Sequence, residues 1–309
     1  MEGNYNDLSR HSEHLYLKEA IKIILDKQID TIILSVGPFS YSAILPKLKS
    51  QFPHLKFVLD YRDYWEDDYE GLNSTQIAFE KKLQKTVLSS VDLVLSPNQE
   101  MQTYYATQMN ANSWCLPHCY DEDDIAVGED PGEQQNQQLC LIYGGAFYSG
   151  IEGSIANIRK LIDRLLETKP VRADFYVSIK GFETELAHPA ITRQGFMDSH
   201  DYFKKVKQAD YAILILPPNR VNAMSSKFYE LLALRKPILY FGGTGAVSEF
   251  LIQYRLGFHI TAENIREQAE AILSNLQTRI IPGPYRVEDH TFAFHTKALI
   301  ASLQHLHQS

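Results

Sequence analysis

The strongest constraint in this sequence is a repeated alternation of short, continuous apolar runs with longer amphipathic stretches. A strand with one face in water alternates apolar and polar residues, whereas a strand covered on both faces reads as an unbroken apolar run. The first half predicts strands over 30–35, 56–60, 92–95 and 113–116, with helices near 13–27, 39–51, 75–90 and 98–108. The second half predicts strands near 139–143, 173–179, 190–193, 211–216, 237–241 and 257–260. Helices fall near 152–168, 199–208, 226–235, 245–254 and 262–277, with a last one over about 290–306. Buried strands alternating with helices imply parallel sheets joined by right-handed crossovers, an α/β fold of doubly wound type.

The alternation is interrupted once. Residues 121–138 are acidic, polar and nearly free of apolar side chains, the composition of an exposed connection. A chain of 309 residues also has a length prior of two domains. The expected division is a first Rossmann-like domain over 1–122, a linker over 123–138 and a second such domain over 139–289. The helix over 290–309 would return to the first domain.

Composition excludes several classes of function. The net charge of -8 opposes wholesale nucleic-acid binding, which needs a basic surface. Three cysteines are too few for a disulfide framework and suit a reducing compartment. Cys115, His118 and Cys119 lie close together, but only Cys140 remains as a further thiol, so neither a zinc site nor a catalytic cysteine is expected. No run approaches the roughly 18 apolar residues of a spanning helix, and the polar start lacks a signal-peptide core. A cytoplasmic protein is expected, with peripheral contact at the inner face of a membrane left open.

Ligands of open parallel sheets bind beyond the carboxyl ends of the strands, which selects the loops worth reading. Tyr143 to Gly150 follows a strand and precedes a helix, and Gly144 and Gly145 would let backbone approach a phosphate. A plain tight turn explains the same glycines. Ser225 or Ser226 can cap a helix that stops before Pro237, with Phe228, Leu231 and Leu232 as its buried stripe. Lys227 and Glu230, three apart beside that stripe, are either a solvated pair or a diphosphate ligand and a ribose-hydroxyl acceptor. Asp60-Tyr61-Arg62-Asp63-Tyr64-Trp65 ends a strand of the first half, and an Arg62–Asp63 structural bridge is its plain reading. Gly242 to Ala246, again between a strand and a helix, either meets the sugar part of a donor or is a flexible loop. Lys180 is a phosphate-ligand candidate, with a solvated lysine as the plainer account.

These residues resemble GT-B glycosyltransferases of the family 4 type. Many members show Lys-x-x-Glu-Tyr-(Leu/Met)-Ala, then Gly-Lys-Pro and a strand; this chain has Lys227-Phe228-Tyr229-Glu230-Leu231-Leu232-Ala233, then Arg235-Lys236-Pro237. Asp60 to Trp65 is similar to an Asp-x-Arg-Asp-x-Trp stretch of many bacterial members, and Leu116 to Asp121 to a stretch leading into their linker. The resemblance implies two Rossmann-like domains of GT-B type facing a cleft, with the N-terminal one shortened. It implies a nucleotide sugar as substrate, Glu230 on the donor ribose, no metal, no cofactor and retention of anomeric configuration. It also implies a donor site of Gly144, Gly145, Lys180, Ser225, Ser226, Lys227 and Glu230, with the loop from Gly195 to Ser199 beside the base. Asn222, Gly243 and Thr244 would face the sugar, and Arg62 and Asp63 are the catalytic candidates. Asn222 stands where members carry the first glutamate of Glu-x7-Glu.

The expected function is sugar transfer to an unidentified acceptor, such as a glycan or lipid-linked glycan in polysaccharide biosynthesis. Two alternatives stand beside it. One is a non-catalytic nucleotide- or sugar-binding subunit completed by a partner chain; the other is a nucleotide-sugar epimerase on the same fold.

Overall fold

The computed structural model describes residues 8–69, 71–125, 137–147, 150–177, 182, 184–278 and 285–308. Its contacts divide the chain into two compact units, Met1–Pro117 with Thr296–Ser309, and His118–His295.

The first unit holds a four-stranded sheet of β1 (Thr31–Val36), β2 (Lys56–Tyr61), β3 (Leu93–Ser96) and β4 (Ser113–Cys115). The strands lie in sequence order and every pair is parallel. Side chains along β2 alternate between two cores, as the period of 2 requires. Phe57, Leu59 and Tyr61 enter one core with Leu45, Leu48 and Tyr105. Val58 enters the other with Leu93 and Leu95, against Leu299, Leu303 and Leu306 of the helix Phe292–Gln308. That apolar stripe is why the end of the chain belongs to the first unit.

The helix expected over 39–51 is split. A 3-10 turn, Phe39–Ala43, includes a bond from the Tyr41 N–H to the Pro38 carbonyl (3.3 Å), and an α-helix follows over Ile44–Gln51. Pro46 has no N–H to give, a lack that costs nothing only in the first turn of a helix, so the α-helix starts just before it.

The segment Asp60–Trp65 is a structural lock. Arg62 pairs with Asp60, not with Asp63 as expected: its Nε lies 3.0 Å from the Asp60 carboxylate, and its Nη1 donates to the Leu116 carbonyl at 3.2 Å. Arg62 and the exposed Asp63 both lie just past the strand's end at Tyr61, and the Arg62 side chain turns back over Asp60. Trp65 is 1% exposed and donates its indole N–H to Glu80 at 3.0 Å.

The second unit holds β5 (Leu139–Gly145), β6 (Val171–Val177), β7 (Ile191–Gln194), β8 (Tyr211–Ile215), β9 (Ile238–Phe241) and β10 (Gly257–His259). All pairs are parallel, in the order β10-β9-β8-β5-β6-β7. The chain winds outward from β5 to β7, then crosses back to β8 and winds the other way. The order therefore reverses beside β5, where open sheets leave a crevice for ligands. Leu139, Leu141 and Tyr143 face one core and Ile142 the other, so the strand is covered on both sides.

Three details differ from expectation. Gly144 and Gly145 end β5 itself rather than sitting in the loop after it. The helix expected to reach 235 runs Ser226–Ala233. The acidic segment is not wholly irregular: Glu122–Ile125 is a short helix, with Asp121 Oδ1 accepting from the Asp123 N–H at 3.0 Å. Carboxylates in a first turn suit the positive end of the helix dipole. Residues 126–136 of that segment, and Lys180, lie outside the described residues. Among the described residues no helix is long and apolar enough to cross a membrane, and no cluster of His, Cys, Asp or Glu is placed to hold a metal ion.

The helix Glu152–Leu166 shows how the second core is weighted: Ile162 is fully buried, and Leu166 on the same helix is 40% exposed. Ile162→Ala is expected to lose about 2–5 kcal/mol in urea unfolding. Leu166→Ala should stay within roughly 1 kcal/mol of wild type. Equal losses would contradict this packing.

Candidate functional site

At the carboxyl ends of β5 and β6 the second unit encloses a cavity of about 240 Å³. Its floor is Gly144 and Gly145, with Tyr176 from the neighbouring strand. One wall is the helix Ser199–Gln208, which contributes Ser199, Tyr202 and Phe203; Asp198 caps that helix by accepting from the His200 N–H at 3.0 Å. Phe196 and Met197, just before this helix, also line the cavity. The opposite wall is the helix Ser226–Ala233, whose Phe228, Leu231 and Leu232 are buried and turn Lys227 and Glu230 toward the space. Asp124, from the short acidic helix, completes the lining.

Gly144 is required by close approach. A Cβ there would stand 2.4 Å from the Tyr202 ring, well inside van der Waals contact. The aromatic ring thus occupies the volume that a side chain would need. Beside it, a Cβ on Gly145 would lie 3.4 Å from Cε of Lys227, so the lysine stem crosses directly over the strand end. The ammonium of Lys227 stands 5.4 Å from the centroid of Tyr202, within cation–π range. The glycines, the ring and the lysine form one packed unit.

The charges on this wall are costly. Burial pulls the Lys227 ammonium below its ordinary value, with Glu230 opposing the shift. Burial pushes the Glu230 carboxyl up; Lys227 opposes this and Asp124 adds to it. Among the described residues the two make no direct ion pair and no hydrogen bond with each other. A half-buried cation and a half-buried carboxylate that do not neutralise each other in contact are available to a ligand.

The sequence-derived candidates separate into groups. Gly144, Gly145, Lys227 and Glu230 meet around the cavity. Ser225 stands at the helix N-cap but its side chain does not cap, contrary to expectation; its Oγ is buried without a partner, and Ser226 is exposed. Asn222, Gly243 and Thr244 do not line the cavity, and Thr244 is exposed. The Gly242–Gly245 loop instead packs on Pro218 and Val221: Cβ atoms on Gly243 and Gly245 would stand 2.2 Å from their carbonyl oxygens. Arg62 is held in the first unit's lock, and Lys180 is not described. Sequence reasoning missed Asp124, Tyr176, Tyr202 and Phe203. The signal for Tyr202 was the glycine opposite it, which is legible only once β5 and its neighbouring helix are placed together.

No family description matches the chain, and no curated protein matches it. Solved structures do. An α,α-trehalose-phosphate synthase (UDP-forming) from Burkholderia vietnamiensis superposes with a TM-score of 0.69 at 8% identity, over 97% of this chain and 76% of that one. A glycosyltransferase from Rickettsia africae gives 0.65 at 11% identity, over 99% and 84%. A Listeria monocytogenes protein provisionally described as a UDP-N-acetylglucosamine 2-epimerase gives 0.60 at 11%, over 100% and 82%. The fold is therefore the GT-B fold, two Rossmann-like units with parallel sheets, as the sequence resemblance implied.

Two outcomes test this geometry. Gly144→Ala should destabilise by about 1–3 kcal/mol, as overpacking does, and Tyr202→Ala should relieve most of that loss in a double-mutant cycle. Additive losses would contradict the contact. The second concerns pH. With its folded-state carboxyl raised above the ordinary 4.5, Glu230 keeps its proton longer in the folded chain than in the unfolded one. Stability from this group falls as pH rises above about 4.5 toward the folded value. Lys227 has the opposite sign on the alkaline side, where its contribution climbs with pH up to the ordinary 10.5. Glu230→Gln should flatten the acid-side slope in urea midpoints measured from pH 4 to 7, and an unchanged slope would refute the assignment.

Proposed function

We propose that the chain is a glycosyltransferase that binds a nucleotide-diphosphate sugar in the cavity of the second unit and transfers its sugar to an acceptor hydroxyl. The observation that carries this reading is the half-buried Lys227 ammonium in the cavity wall beside the glycine strand end, with Glu230 on the same helix face and no contact pair between them. The backbone of Gly144 and Gly145 lines the cavity that takes the diphosphate, and Lys227 supplies the charge that holds it. Glu230 accepts hydrogen bonds from ribose hydroxyls. At about 240 Å³ the cavity lies below the roughly 300–1,000 Å³ of pockets that bury a whole drug-sized ligand, so it takes the diphosphate and part of the nucleoside.

In transfer, the bond from the anomeric carbon to the β-phosphate oxygen breaks, and its electron pair leaves on the diphosphate. A bond from the acceptor oxygen to the anomeric carbon forms, and the acceptor hydroxyl gives up its proton. Negative charge grows on the leaving diphosphate, where Lys227 stabilises it. The UDP named for the Burkholderia and Listeria proteins supports uridine as the base. The sequence resemblance adds retention of configuration, action without a metal, and a glycan or lipid-linked glycan acceptor. Anomeric assignment of the product and activity in chelator test the first two. Asp63, exposed at the end of the first unit's lock, stays the catalytic candidate, to be tested through kcat of Asp63→Asn.

The Listeria structure, matched along the whole chain, motivates one competing reading, epimerisation of the donor. Donor isomerisation without an acceptor would select it.

UDP at 100 times its dissociation constant should stabilise the wild type by about 2.7 kcal/mol. Lys227→Ala and Glu230→Ala should each weaken UDP binding by tenfold or more in calorimetric titration. Sugar release into an acceptor panel should fall with them. Binding of UDP that is indifferent to both variants would refute the proposed site.

A further inference from the structure

The same unit has a second cavity, of about 250 Å³, at the other end of its sheet, beside the amino ends of β9 and β10. Two consecutive crossovers deliver the chain there by the same device. After the helix Ser226–Ala233, Arg235 N–H bonds to the Leu232 carbonyl (3.0 Å) and Lys236 N–H to that of Leu231 (3.3 Å). After the helix Ala246–Tyr254, Arg255 N–H bonds to Ile252 (3.3 Å) and Leu256 N–H to Leu251 (3.0 Å). This paired pattern is the Schellman ending, whose turning residue is left-handed and most often glycine. Here it is arginine both times, each at φ 53°. The stretch that the first of these resembles carries glycine at that position. A residue with a side chain in this conformation, at two equivalent turns, is a departure that folding alone does not ask for.

Because β9 and β10 are neighbours, with Gly257 paired to Ile238, the two turns open onto one space, and Arg235 and Arg255 both line it. Neither guanidinium has an ion-pair or hydrogen-bond partner among the described residues. Lys236 adds a third cation, its ammonium 3.0 Å from the Ala209 carbonyl. Against these three stands one lining carboxylate, Glu288. The rim is thus net positive in a chain whose total charge is -8. Leu256 and Val287 give the cavity an apolar base. Two guanidinium forks above a small, partly apolar cup match a phosphate group carried on a compact body.

The geometry points to a second ligand site here, in which Arg235 and Arg255 together bind the phosphate of a small phosphate monoester. The site lies at the opposite end of the sheet from the Lys227 cavity and does not depend on what that cavity binds.

The test uses the full chain, with sn-glycerol 3-phosphate and inorganic phosphate as probes and glycerol as the uncharged control, titrated calorimetrically at fixed ionic strength. One equivalent of glycerol 3-phosphate per chain is expected, with glycerol silent. Arg235→Gly and Arg255→Gly should each weaken binding at least tenfold while melting no lower than wild type, because glycine suits both turns. Arg235→Gln and Arg255→Gln, which keep a side chain in the left-handed turn, should show the same loss. Lys227→Ala should bind the probe as wild type does. No binding by wild type, or binding lost in Lys227→Ala and kept in the arginine variants, overturns the proposal. Equal affinity for inorganic phosphate and glycerol 3-phosphate would overturn the monoester and leave a bare phosphate.

Discussion

Parallel pairing of strands buried on both faces is the constraint from which this architecture follows. Two parallel neighbours cannot be joined by a hairpin, so every strand must be followed by a crossover that returns the chain to the same end of the sheet. Crossovers made of helices cover both faces, which is what the continuous apolar runs of β5 and β8 require. The same rule collects all the carboxyl ends on one rim and all the amino ends on the other. The reversal of strand order beside β5 then opens the carboxyl rim at one place. Residues as far apart in sequence as Asp124 and Glu230 meet there because the winding leaves nowhere else for them to converge.

At that place the protein accepts an electrostatic cost. An ammonium and a carboxylate, both drawn out of water and not in contact, are each less favourable than an exposed pair would be. What holds Lys227 there is apolar: its stem lies against the Gly145 strand end, its head near the Tyr202 ring, and its helix is anchored by buried Phe228, Leu231 and Leu232. Packing energy thus fixes a charge where water solvates it poorly. A polyanionic ligand entering such a place gains more from the cation than it would at the surface, since less reorganisation is left to do.

Much of this was legible in the sequence, for identifiable reasons. The central strands were visible as apolar runs, and the helices between strands as stripes, because covered strands and half-covered helices leave opposite periodicities. Lys227 and Glu230 stood out because a three-residue offset beside the Phe228, Leu231 and Leu232 stripe cannot be explained by helix capping. What was not legible depended on contacts across the fold. Nothing near Gly144 in sequence announces Tyr202, and nothing near Arg62 favours Asp60 over Asp63 until the chain leaving the strand is folded. The split at Pro46 and the early stop at Ala233 are local, but they turn on single hydrogen bonds that periodicity does not resolve. Asn222 was placed by resemblance and Gly243 and Thr244 by the rule of the strand ends, and the cavity includes none of them.

The two charged motifs of the sequence make opposite uses of similar residues. In the first unit the Arg62 guanidinium spends two of its donors at 3.0 and 3.2 Å on Asp60 and the Leu116 carbonyl, and the adjoining Trp65 meets Glu80 at 3.0 Å. Those bonds close inside the fold, so their contribution is to rigidity, and a ligand would have to break them to engage Arg62 or Trp65. In the second unit Lys227 and Glu230 have no such closure, although they are only three residues apart on a helix where a contact pair is sterically easy. Pairing capacity left open where pairing was available locally is the physical difference between a brace and a binding group. The same criterion separates Arg235 and Arg255 from Arg62. Charge density in a sequence identifies where to look, and the hydrogen-bond inventory of the folded chain decides which of those charges face inward to the protein and which remain to face something else.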